Sequence, residues 1–538
     1  MGLARHTLTC LLGCLACQAA ARAEQPPAGE ASAWGFELSL RLSQRFAWKE
    51  NFLNPLGSLT AAGRQLMGGG GAGSGALYEG PLNLRLEQDE LGYSLFAGAR
   101  LAVRYEDTAS LALALDSGEL KFPALSRYSP APLCRLGDPR CGATSNGQAA
   151  LDEAAETGFV RELYLALHLG QGGWLDVRLG KFLASAAAGF VLDNHALGVA
   201  LDADLELGFD LPARVALDAL LPDGRFVQEG KRSPFVHLEA AYLLSFLEEL
   251  GLLFAWYHDG DSSLASIMYA VLSEAALAGG LPTRPLYLAL QDPATRISTR
   301  GNLFWVGARG RLVFDGWSLG ALGVLEVGGF ELTVEGQTPT GEPVSRGGRA
   351  DCLGGLLDLD LQVDVTDSFG LGAFFLFQSG ETFGPDELRE GLAGRYTSFL
   401  AVYPYVTRMN LFFSGGLNEN FSARTFSTSG VNGRGVLAPG LSAGWDIHAS
   451  LNLVMRSALL FSQGAHLMSG SRFYGWETDL ELRWTPLDWL RVSLEADYLL
   501  SGGFFDFSKP IEELQASART YTREPDLWKI LIGLDLLY

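Results

Sequence analysis

What the chain lacks narrows it first. After the first two dozen residues there is no run of roughly 18 continuous apolar residues, so no segment crosses a bilayer as a single helix. Bases are in deficit, with 40 Lys and Arg against 61 Asp and Glu. A net charge of −21 leaves no positive footprint for nucleic acid. Cysteine is scarce: Cys10, Cys14 and Cys17 sit near the N-terminus, which leaves Cys134, Cys141 and Cys352. Those three have no short paired spacing with histidine, so zinc is not expected. HExxH, Gly-x-Ser-x-Gly and phosphate-loop patterns are all missing. The glycine-rich tract Gly68–Gly73 has no following lysine and helix to make a phosphate cradle. Neither an enzyme nor a cofactor is expected.

The N-terminus has the form of a secretory signal. Arg5 and His6 give a positive start, Leu8 to Ala21 are apolar or small, and Ala21-Arg22-Ala23 is a small-x-small cleavage site. The expected organisation is a signal peptide over 1–23, a short polar linker over 24–33 and one domain over 34–538. Leu11-Leu12-Gly13-Cys14 offers a rival lipoprotein cleavage box, with very little apolar stretch before it.

What the chain has is alternation. It is 48% hydrophobic, yet its apolar residues come every second position. Val199 to Leu207, Leu357 to Val365 and Tyr474 to Trp484 each place apolar side chains on one face and small or charged ones on the other. Many such segments run nine to fourteen residues, whereas globular strands average roughly five to six. A tilted strand needs about 9–11 residues to cross a bilayer core. In lipid such strands satisfy their backbone only by closing on themselves.

The connections alternate too. Short turns are expected at Asp89–Gly92, Asp210–Pro212, Glu248–Leu250, Asp315–Gly316, Thr366–Ser368 and Pro486–Asp488. Long polar loops are expected near 49–75, 106–156, 260–300, 330–350, 379–396, 416–435 and 501–525. Trp174, Trp317, Trp445, Trp484 and Trp489 lie beside short turns, where an interfacial girdle would sit. The predicted fold is all-β: a single transmembrane antiparallel β-barrel of about 18 strands, within a range of 16–20. The segments near 108–117, 397–406 and 410–415 are the uncertain strands. One loop helix is expected, with Leu264, Ile267, Met268, Val271, Leu272 and Ala275 on one face. It either packs on its own loop or folds into the barrel mouth.

The last strand, Trp528 to Tyr538, resembles the terminal targeting strand of bacterial outer-membrane barrels. Gly533, Leu536 and Tyr538 match its glycine, hydrophobe and final aromatic, while Leu531 stands where a polar residue is usual. The resemblance implies an outer membrane of the Gram-negative type and recognition by the barrel-assembly machinery through the strand ending in Tyr538. Two stretches are similar to porins of the alginate-export type. They are Glu162–Leu167 with Leu175–Lys181, and Gly475–Leu480 with Tyr498 and Gly502–Phe505. Phe182 departs from that pattern, and only the architecture is implied.

Charges on strands must face inward, because Arg or Lys on the lipid side would cost about 2–4 kcal/mol each at the midplane. The candidate lining residues are Arg100, Arg104, Arg178, Asp202, Asp204, Glu206, Arg309, Arg311, Asp358, Asp360, Asp364, Glu477, Asp479, Glu481 and Arg483. They either pair across strands or line water and set charge selectivity. Acids exceed bases among all the inward charges, which implies a diffusion channel for small polar solutes with mild cation preference or none, and counts against a polyanion cargo. A closed barrel that anchors surface loops is the other arrangement. An outer-membrane hydrolase using Asp446 and His448 is a distant third. Cys134 and Cys141, with six residues between them, are expected to form a loop disulfide in an oxidising compartment. The remaining partner expected is outer-membrane lipid.

Overall fold

The computed structural model describes residues 34–50, 90–116, 120–121, 159–170, 173–222, 233–243, 247–260, 295–338, 340–381, 433–465, 469–505 and 526–537, with parts of 264–290 and of 392–430. The expected signal peptide and linker, Cys134, Cys141 and Tyr538 lie outside the described residues.

Eighteen strands form one wall. In chain order they are β1 (Trp34–Glu50), β2 (Glu90–Tyr105), β3 (Ala109–Asp116), β4 (Phe159–Leu169), β5 (Leu175–Ala186), β6 (Leu192–Asp204), β7 (Ala213–Leu221), β8 (Phe235–Tyr242) and β9 (Leu247–Asp259). They continue as β10 (Arg296–Phe314), β11 (Trp317–Gln337), β12 (Pro343–Thr366), β13 (Phe369–Gln378), β14 (Val436–His448), β15 (Leu451–Phe461), β16 (Phe473–Leu487), β17 (Leu490–Ser501) and β18 (Leu527–Leu537). Each pairs antiparallel with its neighbour in sequence. β1 pairs with β18 from Arg41↔Leu537 to Glu50↔Trp528, so the sheet closes and leaves no edge. No described helix is long and apolar enough to cross a membrane.

The alternation sorts side chains as the sequence predicts. On β16, Glu477, Asp479 and Glu481 are buried while Trp476 and Trp484 are exposed on the outside. Trp317, Trp445 and Trp484 form part of an exposed outer ring beside short turns, and Trp317 stacks on Phe314 at 4.4 Å. Gly316 supplies the left-handed backbone, φ +76°, that its tight turn requires.

Several local expectations are corrected. Asp89–Gly92 is no turn, since β2 starts at Glu90; the short turn is Glu106–Thr108, and 109–116 is a true barrel strand. Glu248–Leu250 belongs to β9. The stretch 330–350 is not a loop: β11 and β12 run through it and turn at 338–342. Its inward residues Phe330, Leu332, Val334 and Ala350 are buried, while its outward residues are mostly polar, which made it resemble a loop. Conversely, the described residues of 397–406 and 410–415 belong to no barrel strand. Leu400–Ala401 pairs with Ser427–Thr428 in a separate two-stranded sheet, and the described remainder lies inside the wall.

Candidate functional site: the lumen and its strap

The inner face divides into two halves. Towards the long loops, β5 to β13 turn apolar residues inward, among them Phe182, Leu220, Phe235, Tyr257 and Trp305, all buried. The expected loop helix meets them there. Leu264, Met268, Leu272 and Ala275, spaced along one helical face, belong to the same apolar cluster and are fully buried. Leu264, Met268 and Leu272 each contribute roughly 1.5–3 kcal/mol by leaving water. Of the two expectations for this helix, the structure favours folding into the barrel.

Towards the short turns the inner face is polar and solvated, and its charges are paired across strands. Arg100 meets Glu162 at 3.3 Å, and Arg104 meets Glu37 at 3.1 Å. Arg178 pairs with Asp202. Arg309 meets Glu239 at 2.7 Å and also holds Glu249. Nearer the long loops, His237 is buried between Asp218 at 3.1 Å and Glu239 at 3.4 Å. Arg311 and Asp364 are exposed on β10 and β12.

One predicted lining residue, Glu206, sits elsewhere. β6 stops at Asp204, whose carboxylate accepts from the amides of Glu206 and Leu207 and caps a short helical turn, Leu205–Phe209. Glu206 is therefore on a turn, not on the wall. The alternation of 199–207 continues past the strand because a capping aspartate reads like an inward acid.

Inside the wall lies a strap, formed by the described residues of 394–412. Gly394–Tyr396 runs parallel to Ala350–Cys352 of β12. The amide of Leu400 donates to Glu326 Oε2 at 2.6 Å, and Trp305 Nε1 donates to the Leu400 carbonyl at 3.1 Å. Gly354 makes this approach possible: a Cβ there would lie 2.9 Å from Phe399 Cα and 2.8 Å from Glu326 Oε2. Further on, Arg408 grips Asp358 through Nε at 3.0 Å and Nη2 at 2.6 Å, and Asp360 through Nη1 at 2.6 Å. Its guanidinium lies over the Phe374 ring, 5.4 Å from the centroid.

The far end of the strap reaches β16 and β17. Asn410 donates from its amide to Asp479 at 2.8 Å and from Nδ2 to Asp497 at 3.0 Å. The amides of Leu411 and Phe412 donate to the two oxygens of Glu477 at 2.6 and 3.1 Å. Glu481 is taken by Arg456 at 2.5 Å and Arg483 at 3.0 Å. Lys529 lies between Glu495 and Asp497. A hydrogen bond of this kind contributes about 0.5–1.5 kcal/mol net to a neutral acceptor and about 1.5–3 kcal/mol to a charged one.

Of the fifteen candidate lining residues, the strap thus takes up Asp358, Asp360, Glu477 and Asp479 directly. The ion pairs of the solvated half take Arg100, Arg104, Arg178, Asp202 and Arg309. Glu326 and Arg408 were missed by sequence reasoning. Glu326 is a single acid in an apolar tract, Leu325-Glu326-Val327, and Arg408 lies in a segment without period. The one available signal was the apolar triplet Leu411-Phe412-Phe413, which is out of place in a solvated loop. Nor does Asp446 serve His448. It accepts from Asn452 Nδ2 at 2.8 Å, while His448 Nδ1 contacts Ser450 Oγ at 3.0 Å within a turn.

No protein-family model matches the chain, and no curated protein matches it in sequence. Among solved structures it is similar to OpdK of Pseudomonas aeruginosa with vanillate, at 11% identity and TM-score 0.45, over 94% of this chain and 100% of that one. It is also similar to OccK9 (OpdG) of the same organism, at 14% identity and TM-score 0.43, over 94% and 98%. A third is the outer membrane protein OprD of that organism, at 9% identity and TM-score 0.43, over 94% and 93%.

Proposed function

We propose that this chain is an outer-membrane channel for diffusion of small polar solutes, narrowed by its strap. One observation carries the reading: a closed wall that is apolar outside and charged inside. On β11 the outward residues Trp317, Leu319, Ala321, Leu325 and Val327 are all apolar, and Glu331, Thr333 and Glu335 follow. The ten steps from Trp317 to Val327, at about 3.3 Å each and tilted by about 35–45°, rise roughly 23–27 Å, which matches the apolar band of an outer-membrane barrel. Water in the lumen accounts for the solvated ion pairs of the short-turn half.

The charge preference of this channel is weak. Acids are more numerous on the inner face, but Glu477, Asp479 and Glu481 are buried beneath the strap or behind arginines. The remaining charges are largely matched in pairs. Outer-membrane lipid and the barrel-assembly machinery, reading the strand that carries Gly533 and Leu536, are the partners this reading requires. In planar bilayers the protein should give single-channel conductance with a reversal potential near zero under a salt gradient. A folded, inserted protein without conductance would favour the closed barrel that presents surface loops. Cys134 and Cys141 are assigned to a loop disulfide. Cys352 is buried beside the strap, so a thiol reagent should label no cysteine of the folded protein until a reductant exposes two.

A further inference from the structure

β10, β11 and β12 have 19, 21 and 24 residues and are the three longest strands described. They continue past the apolar band, and their outward face changes character within one row. The last apolar row holds Val327 and Leu353, and the next pairs Asn302 with Gly329 and Gly329 with Asp351. Above it lies a charged row in which Arg300 pairs with Glu331 and Glu331 with Arg349. All three are exposed. Arg349 Nε lies 3.1 Å from Asp351 Oδ1, and its side chain is 72% accessible.

We propose that this face binds the phosphorylated headgroup of the glycolipid that forms the outer leaflet around the barrel. The inference rests on the membrane reading above. It follows from continuity: a lipid whose tails pack on Leu325, Val327 and Leu353 has its headgroup level with Arg300, Glu331, Arg349 and Asp351. The chemistry fits in both signs. Guanidinium groups pair with phosphate oxygens, and carboxylates ligate the divalent cations that bridge neighbouring phosphates. Two adjacent rows that together carry two arginines and two acids suit a layer that mixes anions with their bridging cations. Ser298, Thr333 and Ser345 are on the same outward face above it and add hydroxyls without apolar surface, as a hydrated headgroup layer requires.

The test uses the full-length protein refolded in detergent with magnesium and a bisphosphorylated lipid A, and native mass spectrometry after detergent exchange. Wild type should retain lipid A, and the dephosphorylated lipid should be retained several-fold less. The double variant Arg300→Ala with Arg349→Ala should lose most of the retained lipid A, whereas Arg214→Ala, at the short-turn end beside Asp204, should lose none. Equal retention by the double variant, or equal retention of the dephosphorylated lipid, overturns the proposal. Heat-modifiable migration and insertion into vesicles are scored on the same samples. Inserted protein without lipid A retention refutes this inference alone, whereas protein that neither migrates as a folded barrel nor inserts refutes the membrane reading and this inference with it.

Discussion

The two halves of the lumen are built from the same strands and differ in what holds them. The long-loop half is filled by apolar side chains from wall, helix and strap, whereas the short-turn half keeps its charges in solvated cross-strand pairs. The difference teaches that an inventory of inward charges does not describe a pore. A carboxylate buried under backbone amides contributes to architecture, while one beside water contributes to the field that a solute meets.

The sharpest way to break the comparison is to unseat the strap. Gly354→Val should do so, because the added carbons collide with Phe399 and with the Glu326 carboxylate. Overpacking of this kind costs about 1–3 kcal/mol, and single-channel conductance should rise as the strap leaves the lumen. Conductance and unfolding midpoint both equal to wild type would show that the strap does not narrow the passage.

Arg408→Ala should act in the same direction with a smaller effect. It removes the charged partner of Asp358 and Asp360 but leaves the amide contacts of 410–412 in place. A buried acceptor left without its partner costs about 1–3 kcal/mol, so the denaturant midpoint should fall and conductance should become noisier. Arg408→Lys should recover little, since one ammonium cannot reproduce the fork that spans both carboxylates.

A third substitution pair asks whether the halves differ in what a permeant ion feels. Asp202→Asn removes an accessible charge beside Arg178 and should move the reversal potential towards anion preference. Glu477→Gln alters a carboxyl group that is fully buried beneath Leu411 and Phe412 and should leave it unchanged. Equal shifts from both would erase the distinction between structural and lumen-facing acids.

The smallest effect concerns the β5–β6 connection, where Ala188 sits in the left-handed region at φ 52°, ψ 34°. Ala188→Gly relieves a conformation that costs a residue with a Cβ about 1–2 kcal/mol, partly offset by the freedom glycine gains when unfolded. The unfolding midpoint should rise slightly, with conductance unaltered.

The barrel was legible because its signal is physical and repeated. Leu357 to Val365 alternates because one face meets apolar surroundings and the other does not, and that constraint recurs along eighteen strands. Residues 330–350 were misread where the outward face meets water as well, since the inward row of Phe330, Leu332 and Val334 was then the only sign of a strand. The strap was illegible for a different reason. Asn410 touches Asp479 and Asp497, which lie far along the chain, and contacts that distant leave no periodic trace in the local sequence.

The strap's point of entry has a consequence for how the protein assembles. β13 and β14 are bonded neighbours, with Gln378 opposite Val436, although the whole connection that carries the strap separates them in the chain. Closing so long a loop is only slightly more costly in entropy than closing a short one, because the cost grows with the logarithm of length. The wall can therefore complete itself strand by strand while this segment is still outside, and the segment threads nothing when it docks. Kinetically, the cylinder and its insert are separable events, and a chain with residues 394–412 replaced by a short flexible linker should still refold to a closed cylinder at an unchanged rate.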